Sequence, residues 1–253
     1  MEQDWADGAV AARAKVRAFD LPAVDDVAKA YGWQDAYVAG VPGAVGGFKL
    51  AVNGAPQMAH FGVSEPVCAR IFADEIYQSG VALPLAAFGS VSVEPELCAI
   101  LTDGAADLSG PVDRAGALAL IDRFHAAIEL IDQRGVAMPT LKLPQAVALN
   151  VFNAGIVLGE VSVAPDALDL PNMHVALELD GATVAETTGT PPQDPVEAVM
   201  WLINNLHTRG VEITPGMAVM CGTHLPIRLL EDDVREVRMT MSGLGAVEFT
   251  LTG

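Results

Sequence analysis

Helical periodicity in this chain is confined to its beginning and to one late segment, and the stretches between read mostly as short strands. That distribution excludes the regular strand–helix alternation of a doubly wound sheet and leaves an α+β architecture. Residues 4–19 carry Trp5, Ala9, Ala12, Val16 and Phe19 at helical spacing, and Asp20-Leu21-Pro22 breaks the run. A second helix is expected from Ala23 to Tyr31, after which Gly40 to Gly54 is glycine-rich and poor in helix signals. Val91–Leu101 reads as a strand, and Arg114–Ile131 as a helix passing into a strand near Glu129. Residues 146–163 and 173–187 read as strands, the latter alternating from His174 to Leu179. Further strands are expected at Met217–Met220, Val234–Met241 and Ala246–Leu251. One helix has complete boundary signals: Asp194 as N-cap, Pro195 at the first position, Glu197 three residues after the cap and Gly210 beyond the end. Val196, Val199, Leu202, Ile203 and Leu206 supply its apolar face.

Hydrophobic residues make up 51% of the 253, enough for a sizeable core. The formal charge of −18 would repel nucleic acid and anionic membranes, so neither is expected as a partner. A small anionic substrate would need a local cation to offset that field. Cys68, Cys98 and Cys221 are widely spaced and odd in number, which suits buried, reduced thiols. The acidic start lacks the basic, then apolar, pattern of a signal peptide, and no apolar run is long enough to span a bilayer. A cytoplasmic location is the expectation.

The sharpest local feature is Glu94-Pro95-Glu96 within the expected strand. Residues two apart on a strand share a face, so the two carboxylates project together and repel unless a cation or proton lies between them. Glu129 adds a third acid among apolar neighbours. Three carboxylates without a convincing His or Cys ligand suit a hard divalent cation such as Mg²⁺ or Mn²⁺. The bland alternative is a solvated acidic face: Pro95 is compatible with an edge strand, and Glu129 has Arg123 and Arg134 nearby in sequence.

Read in order, several segments together resemble the 2-keto-4-pentenoate hydratase and 4-oxalocrotonate decarboxylase branch of the fumarylacetoacetate hydrolase superfamily. They are Gly46-Gly-Phe-Lys49-Leu, the Glu94-x-Glu96 strand, Ile128-Glu129 to Arg134, Asn150 to Gly159, the helix that begins at Asp194, Pro215-Gly216 and Cys221-Gly222-Thr223. The resemblance runs from about residue 9 to the end. It implies a mixed, strongly curved, roll-like β-sheet body of the fumarylacetoacetate hydrolase C-terminal-domain type. An N-terminal helical segment (residues 1–40) would precede a catalytic domain (residues 41–253). It further implies one divalent cation held by Glu94, Glu96 and Glu129, a 2-oxo or 2-hydroxydienoic acid substrate, and Lys49 as the catalytic lysine beside it. Asn153 and Thr223 are implied as substrate-binding candidates, although each also reads as a plain turn residue. The resemblance implies a homo-oligomer, or a complex with a related decarboxylase or aldolase.

Hydration of a 2-hydroxydienoate in aromatic catabolism is the leading reaction implied, with decarboxylation of a 2-oxo dienedioate as the alternative. A catalytically impaired, complex-forming homologue is a third reading. A carbon–carbon hydrolase fits less well, because its relatives usually carry a His-Glu pair on an N-terminal segment and no His precedes Lys49 here. There are departures from the hydratase pattern. Leu149 and Val67 stand where acids are common, with Glu65 close by, and Ala51-Val52-Asn53-Gly54 replaces the usual Gly-Leu-Thr-Ser. Of the histidines, His125 is expected four residues from Glu129 on one helix face, as a packing or supporting group, and His224 at the mouth of the site.

Overall fold

The computed structural model describes residues 2–137 and 140–253. Its helices are α1 (Glu2–Ala14), α2 (Val27–Gly40), α3 (Ala55–Phe61), α4 (Arg114–Ala119), α5 (Leu143–Ala148) and α6 (Pro195–Arg209). The strands are β1 (Val45–Ala51), β2 (Val67–Phe72), β3 (Ile76–Gln78), β4 (Val81–Pro84), β5 (Val91–Leu101), β6 (Ile121–Asp132) and β7 (Asn153–Val163). They continue with β8 (His174–Leu179), β9 (Ala182–Thr188), β10 (Ala218–Thr223), β11 (Arg228–Leu229), β12 (Glu236–Met241) and β13 (Gly245–Thr252).

The larger sheet has the order β2-β1-β10-β5-β6-β7-β3, with β11 on the flank of β5, and the smaller one β4-β13-β12-β8-β9. The larger sheet is mixed: β1 runs parallel to β10 and β3 to β7, and the pairings of β5, β6 and β7 with one another are antiparallel. It also curls. β2 leads through the short turn Ala73–Glu75 straight into β3, which pairs with β7, and β2 itself packs near β7. The two edges thus meet and the sheet forms a rolled half-barrel, the curved body expected.

The roll separates two sets of side chains along each strand. On the outside, Phe48, Leu97, Ile128, Leu130 and Val219 join α6 and the inner face of the smaller sheet in the main core. On the inside, Ile71, Cys98, Ala127, Ile156 and Met220 form a separate apolar plug. A third cluster caps one end of the roll, where Ala6, Ala9, Phe19 and Tyr37 from the N-terminal region meet Ile131, Leu149 and Phe152.

Several elements differ from the sequence reading. The first helix stops at Ala14, not at residue 19, because Val16 takes a left-handed φ of 50° and Arg17 N–H reaches back to Ala12 O at 2.9 Å. The second helix is shifted to Val27–Gly40, with the Asp26 carboxylate accepting from Lys29 N–H at 2.8 Å. Most of Arg114–Ile131 is strand β6, with helix only to Ala119. Because β6 lies between β5 and β7 with nearly all of it buried, its apolar residues occupy both faces and no alternation marks it as a strand. Residues 143–148 are helical, so the strand expected from 146 begins at Asn153. The stretch 173–187 is a hairpin turned at Asp180-Gly181, both with positive φ (47° and 79°). The late strands run Ala218–Thr223, Glu236–Met241 and Gly245–Thr252.

Helix α6 follows its sequence signals closely. The Asp194 carboxylate accepts from Val196 and Glu197 N–H at 2.9 and 3.1 Å, and Gly210 closes the helix at φ 65°. Asp194→Ala should lower stability by about 1 kcal/mol, read as a melting-temperature drop of about 2–4 °C.

Candidate metal and acid-binding site

Strand β5 is paired regularly with β6 through this region, and Glu94 lies directly across from Glu129. Glu94 and Glu96 share one side of β5 by alternation, and cross-strand partners share a side, so all three acids meet on the inside of the roll. One carboxylate oxygen from each lies within 4.8 Å of the others. Two strands away, on β1, Lys49 shares that side and its ammonium forms an ion pair with the Glu129 carboxylate. Lys49, Glu96 and Glu129 are each 1% exposed, so the cluster is not a solvated acidic face; Glu94 is half-buried and marks its open side.

Pro95 does not mark an edge. β5 is central, and Pro95 falls between the stretch paired with β11 (Ser92 and Val93) and the stretch paired with β10 (Glu96 to Ile100). A residue without an N–H is tolerated in that gap, and its carbonyl accepts from His224 N–H at 3.0 Å.

Burial holds the Glu94 carboxyl up at about 8, with the negative charge of Glu129 adding to the effect and Lys49 opposing it. Glu96 is pushed well above the usual carboxylate range, by burial first and then by Glu129 and Glu94. One main-chain donor offsets this, since Gly222 N–H bonds the Glu96 carboxylate at 2.8 Å. Gly222 has φ +104°, and a Cβ there would come within 2.0 Å of Asn53 Nδ2, which itself donates to Cys221 O at 3.0 Å. Only glycine fits this position. Sequence reasoning missed the roles of Gly222 and Asn53; a backbone donor carries no residue identity, and the glycine was visible only as part of the Cys221-Gly222-Thr223 segment.

Three converging oxygen donors, two of them with carboxyls raised by burial and by neighbouring negative charge, match a hard divalent cation, whose charge would take the place of the protons that Glu94 and Glu96 otherwise hold. The other sequence candidates differ in how near they lie to the acids. Asn153 is buried, but its Nδ2 donates to Glu75 at 2.8 Å, and its carbonyl accepts from Arg13 at 2.8 Å. Thr223 lies across from Glu96, with its hydroxyl bonded to Pro95 O and Leu225 O. His125 lies on β6, not on a helix; it shares Glu129's side four residues away, with Nδ1 on Gly159 O at 2.8 Å and Nε2 accepting from Arg123 at 3.1 Å. The His224 ring nitrogens are buried without a hydrogen-bond partner among the described residues, and burial alone lowers its pKa to about 4. Val67 pairs with Ala51 and is buried, Leu149 belongs to the capping cluster, and Glu65 is exposed.

Comparison with known proteins agrees with the ordered motifs. The chain is 27% identical over 208 residues to a 4-oxalocrotonate decarboxylase of a Pseudomonas species, covering 82% of this chain and 78% of that protein. It is 27% identical over 208 residues to a 2-keto-4-pentenoate hydratase of Burkholderia vietnamiensis, covering 81% and 78%. Among solved structures, 4-oxalocrotonate decarboxylase from Pseudomonas putida G7, complexed with magnesium and adipate, superimposes with a TM-score of 0.86 at 19% identity, over 99% of this chain and 97% of that one. No family model matches. The fold is that of the fumarylacetoacetate hydrolase superfamily, and the resemblance read from the sequence is borne out. No helix among the described residues is long and apolar enough to cross a membrane.

The raised carboxyls predict a pH signature. A carboxyl whose folded-state pKa lies above its unfolded value stabilises the fold at low pH, and that stability is lost as pH rises toward the folded pKa. For Glu94 the window runs from the ordinary 4.5 up to about 8. The metal-free protein should therefore lose melting temperature across this window. Mg²⁺ should restore more of it at the alkaline end than at the acid end. In Glu96→Gln, differential scanning calorimetry should show no Mg²⁺-induced shift, with the metal-free protein melting no lower than wild type.

Proposed function

From a chain that shares the fold of the fumarylacetoacetate hydrolase superfamily, and most of its length with that superfamily's hydratases and decarboxylases, we propose a divalent-metal-dependent lyase acting on 2-hydroxydienoate or 2-oxo acid substrates, with hydration as the leading reaction. The observation that carries this reading is the convergence of buried Lys49, Glu96 and Glu129 with half-buried Glu94 at one end of an otherwise apolar roll. Glu94, Glu96 and Glu129 would hold Mg²⁺ or Mn²⁺. Such a cation supplies Lewis acidity toward the carboxylate and 2-oxo oxygens of the substrate.

The protein's own groups do the rest. Lys49, freed from Glu129 once the acids face a cation, places an ammonium where it can bind the substrate carboxylate or deliver a proton. Gly222 N–H holds Glu96 in place. The dry interior excludes water from everything but the open side at Glu94. In this reading residues 1–40 form a helical cover over a catalytic body of residues 41–253. Thr223, beside Glu96, is retained as a substrate contact through small shifts of its hydroxyl, and Asn153 as a more remote one.

Decarboxylation is the second reading, favoured by the apolar Leu149 and Val67. Enolate chemistry needs little more than the acids, the cation and one proton source. Water addition needs a base, a contribution of typically ~10²–10⁴-fold, and neither Leu149 nor Val67 can supply it. The deciding experiment is a time course on 2-hydroxypenta-2,4-dienoate with Mg²⁺ or Mn²⁺, following loss of dienol absorbance and yield of the 4-hydroxy-2-oxo acid. Stoichiometric hydrated product establishes the hydratase. Ketonisation without it moves the assignment to the decarboxylase-like class, and no metal-dependent change in either removes the lyase reading. Lys49→Met should weaken oxalate binding, measured by calorimetry in the presence of Mg²⁺, by about 2–5 kcal/mol while Mg²⁺ itself still binds.

A further inference from the structure

Resting on the lyase reading above, we infer that the apolar cap formed by Ile131, Leu149 and Phe152 selects substrates whose far end is uncharged, so that the protein takes 2-oxo monoacids over 2-oxo dioic acids. The register of β5 and β6 is unbroken from Val91–Asp132 to Glu94–Glu129, so Ile131 projects on the same side as Glu129, two residues nearer the end of the roll. There it joins Leu149, Phe152, Phe19 and Tyr37 in one buried cluster. The metal-binding acids thus lie between two apolar layers, the inner plug on one side and this cap on the other.

The cap is also fixed in shape. Asn150, Val151 and Phe152 have consecutive left-handed φ values of 52°, 37° and 57°, a conformation that asparagine tolerates and that is strained for Val151 and Phe152. Asn150 holds the turn to β2, its Oδ1 accepting from Arg70 N–H at 2.7 Å and its Nδ2 donating to Arg70 O at 2.8 Å. Strain held in this way delivers Leu149 and Phe152 to one place.

A second substrate carboxylate reaching this cap would need a cation, and the nearby guanidiniums are committed. Arg134 lies against the Phe19 ring, pairs with Asp132 at 2.8 Å, and donates to the carbonyls of Ala12 and Arg13 at the end of α1. Arg13 pairs with Glu75 and donates to Asn153 O. Drawing either away would leave buried Asp132 or half-buried Glu75 without its counter-charge, a cost that opposes any gain from the substrate. A methyl or vinyl end meets no such cost.

The test is calorimetric binding, with Mg²⁺ present, of pyruvate, 2-oxohexanoate and 2-oxoadipate. The last two have the same chain length and differ in one terminal carboxylate. The expected result is 2-oxohexanoate binding about tenfold or more tightly than 2-oxoadipate, and reversal of that order in Leu149→Arg. Equal or tighter binding of 2-oxoadipate by wild type overturns the inference, and this comparison stands alone should Leu149→Arg fail to fold. Pyruvate separates the two levels. If it binds while 2-oxoadipate matches 2-oxohexanoate, only the monoacid selection falls. If pyruvate itself fails to bind, the lyase reading falls and this inference with it.

Discussion

Burying three carboxylates and one ammonium within an apolar roll is the constraint around which this structure is organised. Each acid would ionise readily in water. Inside, the loss of hydration and their mutual repulsion drive Glu94 and Glu96 toward the protonated form. The fold offers two partial compensations, the Lys49 ammonium on Glu129 and the Gly222 amide on Glu96. Neither compensates the cluster in full, and the remaining deficit is the feature that a divalent cation would fit.

The surrounding packing follows from keeping that cluster dry and in register. The inner plug of Ile71, Cys98, Ala127, Ile156 and Met220 blocks the roll behind the acids. The N-terminal region, with Phe19 and Tyr37, closes over the end in front. Arg134 joins these layers, since it binds Asp132 at the end of β6 and the last carbonyls of α1 together. That arrangement satisfies helix-end acceptors with a cation and ties the cover to the strand that carries Glu129. Low dielectric sharpens every interaction at the centre, so the same apolar packing that stabilises the fold also raises the carboxyls.

Much of the chemistry was legible because it rests on local geometry. The period of two along a strand puts Glu94 and Glu96 on one side whatever the rest of the chain does, and the signals at Asp194, Pro195 and Gly210 specify α6 from within its own residues. Strand β6 was not legible in the same way. It is covered on both faces, so its sequence lacks the alternation that would distinguish it from a buried helix, and His125 was assigned a helical neighbour relation with Glu129 that the extended chain replaces. Helix α1 was read too long because the left-handed Val16 that ends it is a β-branched residue rarely found in that conformation.

The sequence alone determined residue types and short-range facing: the paired acids, the lysine, the capped helix, the acidic surface and the α+β class. Tertiary structure decided everything that depends on strand register and chain crossing. It set Glu129 opposite Glu94, brought Lys49 across two strands to meet it, lined up the Gly222 amide with Glu96, and placed Leu149 with Ile131 in the cap. The physical reason is range. Periodicity and capping are written within a few residues, whereas the cost of burying a charge and the partner that relieves it depend on groups 35 to 126 positions apart in the sequence, which only the folded chain brings together.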